Sequence, residues 1–166
     1  MLGLLPAGKY PEWGGTDAEG VPMPPYNPVK SKGNCWRYAC NDPQRNNEPG
    51  RVDPPGWNGT ANSCSTMYNA VCSKKGVEKS DSSGKCKKCW YKVLLVAGDG
   101  FRDLAGNAMS DYHWYRQNDD GSWSHKPGDR YVIDGVSDPE GDAKGRGYTI
   151  TCGYFCFQEG AVDADK

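Results

Sequence analysis

Three side chains in this sequence are of the types that thiol-based acyl transfer requires: Cys35, His113 and His125. In that chemistry a thiolate attacks a carbonyl carbon, an imidazole takes and returns the proton, and a further polar group orients the imidazole. Cys35 would attack, His113 would accept its proton, His125 would orient the ring, and the backbone N–H of Cys35 would donate to the oxyanion. The chain has only these two histidines, and both fall in one short stretch, YHWYRQNDDGSWSHKP, from residue 112 to 127. An alternative stands beside this one: two histidines packed as aromatic-like filler among Tyr and Trp.

The elements that must position these residues can be read locally. Residues 112 to 127 read as two aromatic strands joined by Asn118-Asp119-Asp120-Gly121, so the stretch is a hairpin with one histidine on each arm. A three-residue loop, Asp119 to Gly121 with Gly121 in the left-handed bulge position, places His125 across from Tyr115. Strand alternation then puts His113 on the same face, roughly 7 to 8 Å away along the diagonal. A four-residue loop would send the two rings to opposite faces; Asp-Asp-Gly suits the first arrangement. Asn34 reads as an N-cap that sets Cys35 at the first position of a short helix, CWRYACN, closed by Pro43. There the helix dipole and unpaired N–H groups favour thiolate. The competing reading makes Cys35 half of a disulfide, to Cys40 or to the C-terminal strand.

A Cys that opens a helix, followed by the strand WYKVLLVAGDG and the unit His113-x11-His125, resembles the papain-fold cell-wall peptidases of the NlpC type. The resemblance covers residues 34 to 41 and 90 to 126. It implies an α+β, papain-like fold and cleavage of peptide amides in bacterial peptidoglycan, with Cys35, His113 and His125 as the triad. Asn34-Cys35-Trp36-Arg37 stands where that family has Asp-Cys-Ser-Gly. The phrases YHWYRQ and WSHKPG are also similar to a run in uncharacterised bacterial proteins.

Eight cysteines, an even count, sit in a chain with 22 Gly and 12 Pro, as in proteins folded in an oxidising compartment. Cys64 and Cys72 on one helix would be about 12 Å apart, and Cys152 and Cys156 on one strand about 13 Å. Neither pair can bridge internally, so helix-to-strand disulfides are expected. Cys86-Lys87-Lys88-Cys89 is a CxxC that, completed by Cys152 and Cys156, forms the one obvious zinc set; ends of separate disulfides is the competing reading. If one cysteine is an unbridged nucleophile, parity leaves a second one unbridged as well.

The remainder predicts one domain over 34–157, preceded by an extended Pro- and Gly-rich arm over 1–33 and followed by an acidic, disordered tail over 158–166. Its fold is α+β: a small antiparallel sheet with two short helices, loop-rich and disulfide-stapled. The second helix starts at Asn62 or Ser63 and stops at Gly76; Trp90 to Ala97 is the central strand, and strands follow over 131–134 and 148–157. Residues 77–85 read as a polar loop, and Asp138, Glu140 and Asp142 as a loop that resembles a calcium site only loosely. Asn58-Gly59-Thr60 is a glycosylation sequon. With 20 basic against 21 acidic residues, a nucleic-acid partner is not indicated. No segment has the ~18 apolar residues of a membrane span, and the opening MLGLLPAG lacks the cationic start of a complete signal peptide. The sequence thus points to an extracellular or cell-envelope protein without a cofactor, either a cysteine amidase on peptide or peptidoglycan substrates or a secreted, disulfide-stabilised structural or binding module.

Overall fold

The computed structural model describes residues 34–40, 52–128 and 132–165. Six antiparallel strands form one sheet: β1 (Val77–Ser80), β2 (Trp90–Arg102), β3 (Ala108–Gln117), β4 (Trp123–His125), β5 (Ile133–Val136) and β6 (Ile150–Gln158). Their spatial order is β1-β6-β2-β3-β4-β5. Helices α1 (Cys35–Ala39) and α2 (Cys64–Cys72) lie over one face, and α3 (Pro139–Gly145) lies over the other. The proposed arm, Pro43 and the start of the strand expected at 131 fall outside the described residues.

β2 is central because it is apolar at both periods. Tyr91, Val93 and Leu95 pack with α1 and α2, while Leu94 and Val96 pack with Ala143 of α3. A strand covered on both faces reads as a continuous hydrophobic run, which is how WYKVLLVA reads. Each fully buried Val or Leu here contributes about 1.5–3 kcal/mol relative to exposure. On the α1 side the packing is aromatic: the Trp36 ring lies 4.6 Å from Trp114 and meets Phe157 edge-on at 6.1 Å.

Several segments depart from the sequence reading. The closing residues are not a loose tail, because Val162 and Ala164 are buried and the Trp36 Nε1–H donates to the Ala164 carbonyl at 3.0 Å. Arg37 adds an ion pair to Asp165 at 3.2 Å. Residues expected as polar loop include β1, an edge strand whose one inward residue is Val77. Among the described residues there are three α-helices rather than two, since Asp138 caps α3 by accepting from Gly141 N–H, with Pro139 in the first turn.

Two disulfides, Cys64–Cys152 and Cys86–Cys156, anchor α2 and the approach to β2 onto β6. They close loops of 88 and 70 residues, each stabilising by about 4 kcal/mol in the chain-entropy picture. The helix-to-strand expectation holds for Cys64, whereas Cys72 keeps its thiol, as do Cys35, Cys40 and Cys89. The bridges also overturn the zinc reading: Cys86, Cys152 and Cys156 are bonded to sulfur and have no thiolate left for a metal, which leaves Cys89 alone of the proposed four.

Where Cys64–Cys152 draws α2 against β6, the chain needs a residue without a side chain. Gly153 sits at φ 152°, and a Cβ there would run into the Tyr68 ring, whose hydroxyl donates to Tyr154 O at 2.8 Å. Gly153→Ala is expected to destabilise the domain by about 1–3 kcal/mol, read as a lower urea midpoint at unchanged m-value.

Candidate functional site

The β3–β4 turn fixes everything that follows. Asn118 N–H donates to Ser122 O at 2.7 Å, Gly121 N–H donates to Asn118 O at 3.0 Å, and Gly121 has φ 86°. Asp119, Asp120 and Gly121 therefore form the three-residue bulged loop that their residue types favour. Tyr115 pairs with His125, Arg116 with Ser124 and Gln117 with Trp123. In this register His113, Tyr115 and His125 share the face that α3 covers.

The two imidazoles meet directly, with His113 Nε2 2.6 Å from His125 Nδ1 and the ring planes at 82°. Each ring is covered by a tyrosine: Tyr115 stacks on His125 at 4.4 Å, and Tyr148 stacks on His113 at 5.2 Å. His113 is 2% exposed and His125 0%. Behind them, α3 presents Asp142, whose Oδ2 accepts from Tyr115 OH at 2.6 Å and Arg146 Nε at 2.9 Å and lies 3.4 Å from His125 Nε2. Tyr148 OH donates to Asp111 Oδ2 at 2.9 Å.

The electrostatics follow from this enclosure. Burial pushes the His113 pKa well below the ordinary 6.5, and the neighbouring His125 and Arg146 charges push it further, against the opposing pull of Asp142. Burial and Arg146 lower His125 to about 4. Asp142 is raised by burial, but hydrogen bonds from Tyr115 and Arg146, together with the charges of Arg146 and His125, outweigh that and hold it below 3.8. At neutral pH the cluster is two neutral rings beside a carboxylate.

Cys35 belongs to the other layer. The Asn34 cap forms as expected, its Oδ1 accepting from Arg37 N–H at 3.3 Å, and its Nδ2 reaches Tyr112 OH at 3.2 Å. Cys35 joins the cluster that contains Tyr112 and Trp114, the β3 residues that point away from His113. Among the described residues, however, β4 pairs only with Tyr115–Gln117, so the part of β3 that carries His113 is an edge on that side. Tyr148 links the two layers: it stacks on His113, and the charge of an ionised Cys35 contributes, after burial and Asp111, to the upward shift of its hydroxyl pKa. The structure thus brings His113 and His125 together and places Cys35 in the cluster on the opposite face of β3.

The sequence reading gives Asp142, Tyr115, Tyr148 and Arg146 no part in the histidine site. The signal for the first and last was present: Asp138-Pro139 opens a helix, and Asp142 and Arg146 lie four apart on it. A calcium loop explained the same acidic residues only by ignoring that start. In the structure Asp138 caps α3, Glu140 accepts from Thr151 Oγ1 at 2.8 Å, and Asp142 faces the histidines. Among the described residues no three metal-ligating groups converge.

The buried rings give the protein a definite acid response. His125 has a folded-state pKa of about 4 against the ordinary 6.5, so between those values the unfolded chain binds a proton that the folded chain refuses. This contribution to stability is fully present above pH 6.5 and is lost as pH falls toward 4; His113 shifts in the same direction. Tm is expected to fall between pH 7 and 4.5, with a shallower fall in His125→Gln, measured by circular dichroism melts across that range.

No protein-family model matches the chain, and no solved structure matches it. Among curated proteins it is similar to "Insoluble matrix shell protein 1" of Ruditapes philippinarum, at 29% identity over 104 residues, which is 61% of this chain and 60% of the shell protein. The chain therefore spans less than two thirds of the relative that it matches.

Proposed function

We propose that the protein is a cysteine-dependent amidase or peptidase acting on peptide amides, with Cys35 as nucleophile and His113 and His125 as its base and orienter. The observation that carries this reading is the 2.6 Å contact between His113 Nε2 and His125 Nδ1, made across the two strands of one hairpin. In the reaction the Cys35 Sγ–H proton passes to His113 while sulfur bonds to the carbonyl carbon. Collapse of the tetrahedral adduct breaks the C–N bond, and the amine leaves with the proton from His113. Water then cleaves the thioester, which regenerates the thiol and releases the acid. The NlpC-type resemblance of the same residues names peptidoglycan stem peptides as the substrate class and a papain-like arrangement as the fold.

A second reading is favoured by the disulfides and by the shell protein. An extracellular domain stapled at Cys64–Cys152 and Cys86–Cys156 and related to an insoluble matrix protein would be a structural or binding module. The closed tyrosine-covered pair would then be a core feature. Both readings place the protein outside the cytoplasm, and no helix among the described residues is long and apolar enough to cross a membrane.

Alkylation of the native protein with iodoacetamide, followed by peptide mass mapping, separates the two. Modification at Cys35, together with amine release from stem peptides that Cys35→Ala and His113→Ala each abolish at unchanged Tm, supports the enzyme. Turnover retained in either variant removes the mechanism. A Cys35 that stays unmodified until the protein is denatured, in a protein without turnover, leaves the module.

A further inference from the structure

We infer that Asp142 sets the protonation of both histidines and thereby makes Nδ1 of His113 the basic atom of the cluster, a role in which Asp142 is a positioning residue. The first half is a statement about this structure alone; its catalytic meaning rests on the amidase reading above.

A carboxylate oxygen has only lone pairs, so every polar atom that faces it favourably must present a hydrogen. Three atoms converge on Asp142 Oδ2: Tyr115 OH at 2.6 Å, Arg146 Nε at 2.9 Å and His125 Nε2 at 3.4 Å. The first two hold the carboxylate in place and ionised. The third contact is long for a hydrogen bond, yet in this buried setting the sign of the interaction decides between the two forms of the ring. Nε2–H toward the anion is attractive, whereas a bare Nε2 would set a lone pair against a negative charge. His125 is therefore the Nε2–H tautomer.

The remaining assignments are forced. A neutral imidazole carries one proton, so Nδ1 of His125 is bare and accepts. Its neighbour at 2.6 Å is Nε2 of His113, which must donate. His113 is then also the Nε2–H tautomer, and its lone pair stands on Nδ1. Adding a proton to either ring would place positive charge in a buried site beside the Arg146 guanidinium, with only Asp142 opposing it, while Asp111 is engaged by Tyr148. The tautomers are thus set in one direction, from the Asp142 charge through His125 to His113, and the His113 lone pair is left on Nδ1.

Long-range 1H–15N correlation spectra of the full chain labelled with 15N-histidine test this at pH 7, because protonated and bare ring nitrogens resonate far apart. Both rings are expected as Nε2–H tautomers, and Tyr115→Phe, which leaves the carboxylate charge, should keep them so. Asp142→Asn, whose amide can donate as well as accept, should yield mixed tautomers at both rings. Nδ1–H on either ring of the wild type, or spectra unchanged by Asp142→Asn, would overturn the inference, and the wild-type spectrum decides even if the variant fails to fold. Where amide turnover is present, Asp142→Asn should lower kcat roughly a hundredfold or more with KM little changed. A wild type with the assigned tautomers but no turnover sinks the amidase reading and leaves the tautomer assignment standing; an active wild type with Nδ1–H rings does the reverse.

Discussion

Burying two imidazoles against each other costs free energy unless both stay neutral and their facing nitrogens form one donor–acceptor pair. That constraint reaches outward through the fold. It requires the β3–β4 register in which Tyr115 faces His125, and that register requires the left-handed Gly121. Behind His125 an anion is held still, because α3 docks with Asp142 inward. Ala143 supplies the apolar contact for that docking, beside Leu94 and Val96 of the central strand. The same strand residues that make the core thus fix the distance between a carboxylate and an imidazole.

β3 is the partition of the molecule. Its even-numbered residues, Tyr112, Trp114 and Arg116, serve α1: the Arg116 guanidinium lies 4.0 Å over the Tyr38 ring and donates to Tyr38 O at 3.3 Å. Its odd-numbered residues, Asp111, His113 and Tyr115, serve α3 and Tyr148. A single slipped residue would exchange the two sets and bury Arg116 where the histidines are. Strong specification of register is therefore built into both layers, and the tyrosine hydroxyls on each side act as its polar locks.

What could be read from the sequence was what local chemistry alone decides. Asp-Asp-Gly selects its turn, Asn34 caps its helix, and WYKVLLVA has no alternative to the centre of a sheet. The segments that were missed carry weak local signals and are held by partners far away. α3 spans seven residues, includes Gly141 and Gly145, and buries only Pro139 and Ala143, so no apolar periodicity marks it. β1 buries one residue, and the closing Val162 and Ala164 sit among charges that suggest solvent until Trp36 and Arg37 are known to lie beside them. The pairing of His113 with His125 was legible because it is set by one hairpin. The contribution of Asp142 was not, because it depends on where a later helix docks.

The division of the cysteines into bridges and thiols has a comparable logic. Cys64 and Cys152 meet because Gly153 lets α2 approach β6, and Cys86 meets Cys156 because the chain enters β2 beside that same strand. β6 thus receives both bridges, and the two half-cystines on it lie too far apart to compete for each other. Within the CxxC, Cys86 and Cys89 are directed differently: Cys89 adopts φ 66° and is exposed, while its carbonyl accepts from Glu159 N–H at 3.0 Å. Cys72 is half-buried beside Tyr68, and burial pushes its thiol pKa up, so it has little thiolate for exchange with a disulfide. Cys35 and Cys40 are enclosed by the aromatic layer of α1. Enclosure preserves a thiol in an oxidising medium as effectively as it denies that thiol a substrate, so the property that lets Cys35 survive is also the one that any catalysis at this site must relieve.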